Sequence, residues 1–309
     1  MPTDLPPDTV PDVATDVATD LPTGSFARDV TRWYARNARS LPWRAADASP
    51  WGVLVSEVML QQTPVARVIA PWHEWMRRWP TPAALAAEPA GEAIRMWGRL
   101  GYPGRALRLH AAARAMVDVH DGRVPSSYEA LRALPGVGDY TAAAVAAFAF
   151  GARTAVLDTN VRRVYARVFD GVARPVSATA TAVDRERALD RLPPRSPARY
   201  SVAVMELGAL VCTAQAPRCG DCPVADACAW RAAGRPDDGS GRRTQRYEGT
   251  DRQARGRLLQ VLRDATGPVP RTAFDAVWPD ARQRARALEA LISDGLVEPL
   301  AKGRYRLPG

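Results

Sequence analysis

A proline and two glycines, in the stretch LPGVGDYTAAAV over residues 134–145, separate two segments with helical patterning. Pro135 ends the first segment, because proline cannot donate the backbone hydrogen bond that a helix interior needs. Gly136 and Gly138 lack a Cβ, so the backbone can adopt a positive φ and lie close to another group. The stretch therefore predicts two helices joined by a tight turn. Amides at such a helix N-terminus can bind a phosphate group without a dedicated cation.

Helical periodicity extends over most of the chain. Apolar residues recur at spacings of three and four in FARDVTRWYARNA, WGVLVSEVML, GRALRLHAAARAMVDVH and YSVAVMELGALVC. The alternation typical of β-strands is scarce between Phe26 and Ala233, so this region is predicted to be all-α. Hydrophobic residues make up 47% of the chain, which is enough for a sizeable core.

The formal net charge of +9 and the isoelectric point of about 9.9 favour a polyanionic partner, most simply nucleic acid. A solvated basic surface is the alternative. The first 27 residues contain no Lys or Arg, so a secretory signal is not expected. The apolar runs are interrupted by charge well before the length of a membrane span. We expect a cytoplasmic, nucleoid-associated monomer that does not bind membranes.

One carboxylate, Glu57, interrupts the apolar helical stretch WGVLVSEVML. Burial disfavours the charged form and raises the pKa of a carboxyl group. A general acid that works near neutral pH needs such a raised pKa. The alternative is a structural glutamate paired with Arg44 or another arginine, and this stretch alone leaves both interpretations open.

A second carboxylate, Asp158, stands at the predicted helix start in AVLDTNVRRVYARVF. Aspartate at this position can cap the helix, and the helix dipole favours its ionised form. Cleavage of an N-glycosidic bond requires a protonated leaving base and a stabilised sugar cation. One carboxylic acid and one carboxylate share these tasks in sugar hydrolysis, so Glu57 and Asp158 form a chemically sensible pair.

Four cysteines lie within one short segment with the spacing C-x6-C-x2-C-x5-C: Cys212, Cys219, Cys222 and Cys228. Disulfide frameworks usually spread their cysteines along a small secreted chain, so a metal or cluster site is favoured. Zinc sites commonly contain two closely spaced pairs, and only one such pair is present here. A [4Fe–4S] cluster held by four thiolates is therefore favoured over zinc.

The turn at residues 134–138 resembles the helix-hairpin-helix DNA-binding motif, with an ordinary corner between two helices as the alternative. Together with the downstream aspartate and the cysteine spacing, it is similar to the endonuclease III branch of base-excision DNA glycosylases. Over residues 28–230 the motifs LPWR, VSEVMLQQT, LGY, LPGVGDYTA, LDTNV and ELGALVC resemble, in this order, the adenine DNA glycosylase (MutY) family. The resemblance implies a two-lobed helical fold and excision of adenine opposite 8-oxoguanine or guanine in double-stranded DNA.

The resemblance also implies residue roles. Glu57 would protonate adenine at N7, and Asp158 would stabilise the sugar cation. Tyr140 and Asn160 would organise the Asp158 side. Two further positions match the active site of the family: Arg44 and Glu206. Positions matching DNA-binding loops are Gln62, Thr63, Leu100, Gly101 and Tyr102, which would enter the base stack, and Leu134, Gly136, Val137 and Gly138 of the hairpin.

Tyr140 stands where the resemblance to endonuclease III implies a lysine that attacks the sugar. A phenol cannot form a Schiff base, and the only lysine of the chain is Lys302. We therefore expect a monofunctional enzyme that stops at the abasic site. The sequence departs from the family at Pro103, where a second tyrosine is common, and in lacking a large Nudix-like C-terminal domain.

The domain prediction follows composition. Residues 1–27 are predicted to be a disordered acidic tail and 28–233 a glycosylase domain, with a barrel lobe at about 51–165 and a cluster lobe at 28–50 plus 166–233. Residues 234–250 read as a linker. Residues 251–309 are predicted to form a small winged-helix-like α+β domain, with helices in DRQARGRLLQVLRDA, RTAFDAVW and ARQRARALEALISDG and a hairpin that turns at Lys302-Gly303.

Two other functions remain open at this point. A glycosylase for another mismatch, such as thymine opposite guanine, would share the hairpin, the aspartate and the cluster. A non-catalytic iron–sulfur DNA-binding or regulatory protein would need neither carboxyl group. Glu57 favours adenine excision, because protonating a purine N7 needs an acid that pyrimidine excision does not.

Overall fold

The computed structural model of the protein describes residues 23–236, 239 and 247–309. Most of the predicted acidic tail and much of the predicted linker lie outside these residues. The tail prediction is wrong at its C-terminal end, because the first helix already begins at Thr23. Phe26 and Ala27, which the prediction placed in the tail, are buried in a hydrophobic core.

The described residues form fourteen α-helices, in agreement with the all-α prediction for the main domain. Their bounds are α1 Thr23–Asn37, α2 Pro50–Leu60, α3 Val65–Arg78, α4 Pro82–Ala86, α5 Ala90–Trp97, α6 Gly104–Val119, α7 Tyr128–Ala133, α8 Asp139–Phe150, α9 Thr159–Val168, α10 Ala182–Asp190, α11 Pro197–Leu210, α12 Ala229–Ala232, α13 Asp251–Asp264 and α14 Ala281–Ser293. None of the described helices has the length and apolar character needed to cross a bilayer.

Helices α2 to α8 enclose the first hydrophobic core. Trp75 contacts both Trp79 and Trp97 edge-to-face, with ring centroids 4.7 and 5.7 Å apart. Each such pair contributes about 0.5–1.5 kcal/mol beyond its buried area. Helix α2 packs against α8, so the helix carrying Glu57 lies beside the helix that follows the glycine turn.

Helices α1, α9 and α11 build the second core beside the cysteine segment. The predicted lobe boundary at residue 165 differs from this packing, because α9 belongs to the second core. Apolar residues at spacings of three and four form its buried face: Val161, Val164, Tyr165 and Val168. Leu41 and Trp43, predicted for the cluster lobe, pack in the first core instead.

The C-terminal module, residues 251–309, contains α13, α14 and three short strands: β1 Val269–Pro270, β2 Glu298–Leu300 and β3 Arg304–Arg306. The strands are antiparallel in the order β1-β3-β2. The hairpin turns at Ala301–Gly303 as predicted, with Lys302 at φ 60°. The prediction of a helix in RTAFDAVW is wrong: only Arg271–Phe274 forms a single 3₁₀ turn, held by the buried Phe274.

The C-terminal module packs directly on α5 of the first lobe. Ile94 is fully buried in the hydrophobic core of the module. Arg95 donates to the carbonyls of Leu262, Arg263 and Ala265 at the end of α13. The Gly91 amide donates to the Pro308 carbonyl at 2.7 Å. These contacts fix α5 between the module and the first core.

Candidate active site and DNA-binding surface

Glu57 lies in the last two turns of α2, whose residues from Trp51 to Met59 are all buried. Ser49 caps this helix by accepting a hydrogen bond from the Gly52 amide, and Pro50 occupies its first position. The Glu57 side chain is buried, with 5% of the residue exposed. Burial raises the pKa of Glu57 to about 7, against a hydrogen bond that lowers it. A buried acid of this kind holds its proton near neutral pH.

The hydrogen bond on Glu57 comes from Tyr140, whose hydroxyl donates to Oε2 at 2.8 Å. The expectation that Tyr140 organises the Asp158 side stays a prediction, supported by the charge of Asp158, which raises the pKa of Tyr140, but the hydrogen bond of Tyr140 is with Glu57. The reason is the packing of α2 against α8, which brings the first turn of α8 to the end of α2. Burial also raises the pKa of Tyr140 well above its ordinary value, so the phenol stays a donor.

Asp158 caps α9, as the sequence predicted. Its Oδ1 accepts from the Val161 amide at 2.7 Å, and its Oδ2 accepts from Asn160 Nδ2 at 2.7 Å. Burial nevertheless raises the pKa of Asp158, although these donors and Arg163 act in the opposite direction. The charge of Asp158 also raises the pKa of Glu57. The two carboxyl groups are therefore close enough to interact.

Arg163 and Gly208 also hold this side of the site, and the sequence analysis missed both. Arg163 Nη2 donates to Asn160 Oδ1 at 2.8 Å and to the Gly208 carbonyl at 2.7 Å, while its Nε donates to the Cys212 carbonyl at 2.8 Å. A Cβ at Gly208 would lie 2.7 Å from Asn160 Cβ. The available signal was the arginine pair in NVRRVYARVF and the glycine in ELGALVC.

Glu206 is fully buried and is held by two arginines. Arg44 Nη2 donates to Oε2 at 3.0 Å, and Arg39 binds both carboxylate oxygens, at 2.7 and 2.8 Å. Burial alone would raise the pKa of Glu206, but the guanidinium groups outweigh it and lower the pKa to about 2. Arg44 therefore pairs with Glu206 and not with Glu57. Arg39 was missed, since nothing local in the sequence marks a partner 167 positions away.

Arg44 presents a free donor at this site. Its Nη1 is buried and has no hydrogen-bond partner within the described chain. Unpaired buried donors are costly and rare, so each needs an explanation such as a bound group or an ordered water. Its positive charge also acts on Glu57, because it lowers the pKa of that carboxyl against the effect of burial.

Two loops predicted to enter the base stack lie side by side, and their residues divide into two groups. Gln62 and Tyr102 are exposed, with φ angles of 54° and 47°. Gly101 is also exposed, with φ 84°. Thr63 and Leu100 are buried, so the expectation that they enter the stack is corrected. Leu100 packs into the first core, and the Thr63 hydroxyl donates to the Leu100 carbonyl, so both residues anchor the loops beneath the exposed tips.

The predicted hairpin joins α7 to α8. Leu134 and Val137 are buried and anchor the turn, while Gly136 and Gly138 are exposed. Gly136 has φ 74°, and a Cβ there would lie 2.4 Å from Arg108 Cβ. Glycine is thus required both by the backbone and by the neighbouring side chain. Arg108, which the sequence analysis did not select, places an exposed cation beside the turn.

The four cysteines line one pocket together with apolar side chains on and directly after α9 and α11, among them Val164, Leu207 and Val211. All four are free thiols. Within the described ranges, no three Cys, His, Asp or Glu side chains are placed to hold a single metal ion. Four thiols around one apolar pocket suit a cluster that is larger than one ion.

Comparison with known proteins agrees with this geometry. Residues 55–189 match the family described as HhH-GPD superfamily base excision DNA repair protein, and residues 212–228 match the iron-sulfur binding domain of endonuclease III. The adenine DNA glycosylase of Mycobacterium tuberculosis (strain H37Rv) is 54% identical over 286 residues, which cover 91% of this chain and 93% of the relative. The chain belongs to the adenine DNA glycosylase family.

Further similarities place this adenine DNA glycosylase among its relatives. The enzyme of the same name from Mycolicibacterium smegmatis is 51% identical over 283 residues, covering 91% of this chain and 95% of the relative. A solved structure of a thermostable thymine-DNA glycosylase has a TM-score of 0.63 at 26% identity, covering 68% of this chain and 97% of that one. The two adenine DNA glycosylases match at higher identity and over more of the chain than the thymine-DNA glycosylase does. The comparison therefore favours adenine over thymine as the excised base. As the spacing predicted, the four cysteines form the [4Fe–4S] site of the family.

Proposed function

We propose that this adenine DNA glycosylase removes adenine that is mispaired with 8-oxoguanine or guanine in double-stranded DNA, and that it leaves the strand uncut. The observation that carries the proposal is the buried Glu57 carboxyl, with a pKa of about 7, close to the carboxylate of Asp158. Two carboxyl groups in different environments are what glycosidic bond cleavage requires. The enzyme would work as a monomer in the cytoplasm.

The proposed reaction begins with a flipped adenine. Flipping costs a few kcal/mol of unstacking, and the cost is lowest at a mismatch. Glu57 donates its proton to adenine N7, which makes the base a better leaving group. Tyr140 holds the Glu57 carboxyl in place through its 2.8 Å hydrogen bond. The free Nη1 of Arg44 binds a polar atom of the substrate.

As the N-glycosidic bond breaks, positive charge develops on the sugar. Asp158, held by Asn160 and the Val161 amide, stabilises this charge as a carboxylate. Water then adds to C1′ of the sugar cation, the proton that it releases goes to a carboxylate of the site, and an abasic site remains. The four thiolates hold the [4Fe–4S] cluster, whose part in this proposal is structural.

Strand cleavage by an enzyme amine is not part of the proposal. A β-elimination through a Schiff base needs a nucleophilic amine, and the only lysine, Lys302, lies in the hairpin of the C-terminal module. The corresponding position of the active site holds Tyr140. The product is therefore an intact strand with an abasic site.

The DNA would lie across the hairpin and the two loops. Backbone amides at Gly136 and Gly138 bind a phosphate, as turn and helix N-terminal amides do. Arg108 adds a cation beside that turn. Gln62 and Tyr102 enter the stack where the adenine has left.

Strand cleavage of a labelled duplex, assayed with and without hot alkali, tests this function. With an A:8-oxoguanine duplex we expect a cleaved strand only after alkali, and no product with Glu57→Gln. A T:G duplex serves as the matched substrate and should remain intact. Cleavage without alkali would contradict the monofunctional mechanism, and preferential cleavage of T:G would overturn the substrate.

A further inference from the structure

Both loops proposed to enter the DNA converge on one buried guanidinium. The first insertion loop, residues 61–63, follows α2, and the second insertion loop, residues 98–102, follows α5. Each contains an exposed non-glycine residue with a positive φ, Gln62 and Tyr102. Such conformations are strained for a residue with a Cβ and persist only where the surroundings fix them. Arg105, in the first turn of α6, lies between the loops and is 4% exposed.

Arg105 binds both insertion loops at once. Its Nη1 donates to the carbonyls of Val58, Met59 and Gln61 at 2.9, 3.0 and 2.6 Å. Its Nη2 donates to Thr63 Oγ1 at 3.0 Å and to the Gly101 carbonyl at 2.9 Å. The planar guanidinium presents its donors in a fixed fork, so it sets the distance between the two loops.

Two aromatic rings extend the same arrangement. The Arg105 guanidinium carbon lies 5.2 Å from the Trp97 ring centroid and 5.6 Å from that of Tyr102. Trp97 Nε1 also donates to the Gly101 carbonyl at 2.9 Å. The Gly101 carbonyl therefore accepts hydrogen bonds from two sides. The exposed Tyr102 ring packs against the Arg105 guanidinium.

A contribution to folding stability does not explain why a charged side chain occupies position 105. Among the described residues, no carboxylate forms an ion pair with it, and burial lowers its pKa to about 10. A buried charge without a partner of opposite sign costs more than a well-packed apolar side chain of similar size. The neighbouring positive charges of Arg108 and Arg67 add to this cost. What the guanidinium supplies is geometry, through its hydrogen bonds to acceptors on two separate segments.

We propose that Arg105 is a positioning residue that holds the two insertion loops as one rigid unit, so that Gln62 and Tyr102 enter the base stack together. The inference rests on the proposed function, in which these side chains replace the flipped adenine. Arg105 itself touches no reacting atom. Its loss would weaken base-stack disruption at the mismatch more than general attachment to DNA.

Arg105→Lys tests the proposal, because an ammonium keeps the charge but cannot reach acceptors on both loops. The matched control is Arg162→Lys. Arg162 is also buried, and it binds the carbonyls of residues 177–179 in the other lobe. Both substitutions are made in the Glu57→Gln protein, and the probe is an A:8-oxoguanine duplex with 2-aminopurine next to the adenine. The fluorescence of 2-aminopurine rises when the stack is disrupted.

We expect Arg105→Lys to lose at least four-fifths of the fluorescence rise, whereas its Kd for an undamaged duplex changes less than about twofold. With Glu57 restored, its single-turnover rate of adenine release should fall on the order of a hundredfold, as for a misplaced reacting group. Arg162→Lys should retain the fluorescence rise and the rate. A full fluorescence rise in Arg105→Lys, or an equal loss in both variants, would contradict the proposal.

A second variant covers the case in which Arg105→Lys does not fold, as judged by loss of the visible absorbance of the cluster. Thr63→Val removes one acceptor of Arg105 at nearly constant volume, and we expect it to lose at least half of the fluorescence rise. An unchanged rise would contradict the proposal. The fluorescence assay does not require adenine release. A failed alkali assay would therefore overturn the proposed function but would leave the fluorescence result unchanged.

Discussion

At Glu57, the environment that serves the proposed chemistry opposes stability. Its pKa is raised from 4.5 to about 7, chiefly by burial. Between these values the unfolded chain has released its proton while the folded protein retains it. The free energy of unfolding therefore falls as the pH rises through this window. Above pH 7 the free energy of unfolding is lowered by the full amount, which is about 3 kcal/mol from the difference between the two pKa values.

Glu57→Gln should therefore stabilise the protein at high pH while it abolishes activity. We expect its free energy of unfolding to exceed that of the wild type by up to about 3 kcal/mol at pH 8 and by little at pH 5. The amide can still accept from Tyr140, so this hydrogen bond is retained. Urea denaturation at the two pH values measures the difference.

Glu92→Gln is the matched control for this prediction. Arg78 and Arg95 lower the pKa of Glu92 against the effect of burial. Its contribution therefore has the opposite sign: it is present above the ordinary pKa of a glutamate and lost as the pH falls. Glu92→Gln should therefore lose stability by a similar amount at pH 8 and at pH 5, because both values lie above the ordinary pKa of a glutamate. A Glu57→Gln protein that behaved in the same way would show that Glu57 is an ordinary ionised partner.

At the scale of helices and strands, local patterns were sufficient for most assignments. The apolar surroundings of Glu57 on every side of α2 predicted its burial, and the cap position of Asp158 followed from the start of an amphipathic helix. The turn at residues 134–138 could be predicted from Gly136 and its neighbours. The hairpin at Lys302 followed from turn chemistry.

Long-range contacts could not be predicted in this way. The bond from Tyr140 to Glu57 depends on how α2 and α8 pack, because the two residues are 83 positions apart. The burial of Leu100 depends on the direction in which its loop leaves α5, which no periodicity reports. Likewise, the sequence gives no sign that Arg105 binds both insertion loops.

The contact between α9 and α11 provides a prediction at this scale. Gly208→Ala would place a Cβ 2.7 Å from Asn160 Cβ and 2.9 Å from the Asn160 carbonyl oxygen. The helices must separate, which costs about 1–3 kcal/mol as in other overpacked cores. Because Asn160 holds Asp158, the single-turnover rate of adenine release should also fall at least tenfold.

Gly256→Ala is the control for this variant, since its Cβ would meet only the Tyr247 hydroxyl at 3.6 Å. Alanine in the interior of α13 should stabilise it by up to about 1 kcal/mol. Thermal denaturation and single-turnover kinetics of both variants separate the two effects. A fully active Gly208→Ala enzyme would show that the spacing between α9 and α11 does not position Asp158.

At the scale of the whole molecule, the C-terminal module contacts the helix of the first lobe that leads into the second insertion loop. The module holds α5 through Gly91, Ile94 and Arg95. Helix α5 ends at Trp97, whose indole donates to Gly101 in the second insertion loop. We therefore expect the module to support this loop, a role that does not require it to contact the oxidised base.

Gly91→Val tests this role. Its Cβ would lie 2.7 Å from the Pro308 carbonyl oxygen, so the module must shift away from α5. We expect a lower Tm and a slower single-turnover release of adenine, with unchanged affinity for undamaged duplex. Ala90→Val, at the first position of the same helix, is the control for side-chain size. Equal rates in Gly91→Val and wild type would show that docking of the module does not support the loop.

If a protonated Glu57 and an ionised Asp158 act together, adenine release must depend on pH through both carboxyl groups. The second-order rate constant, measured on an A:8-oxoguanine duplex with enzyme well below saturation, reports the pKa values of the free enzyme. It should be bell-shaped, falling about tenfold per pH unit above a pKa near 7 as Glu57 loses its proton, and falling at low pH as Asp158 gains one. A rate constant that is flat from pH 6 to 9, or that rises over this range, would contradict the account.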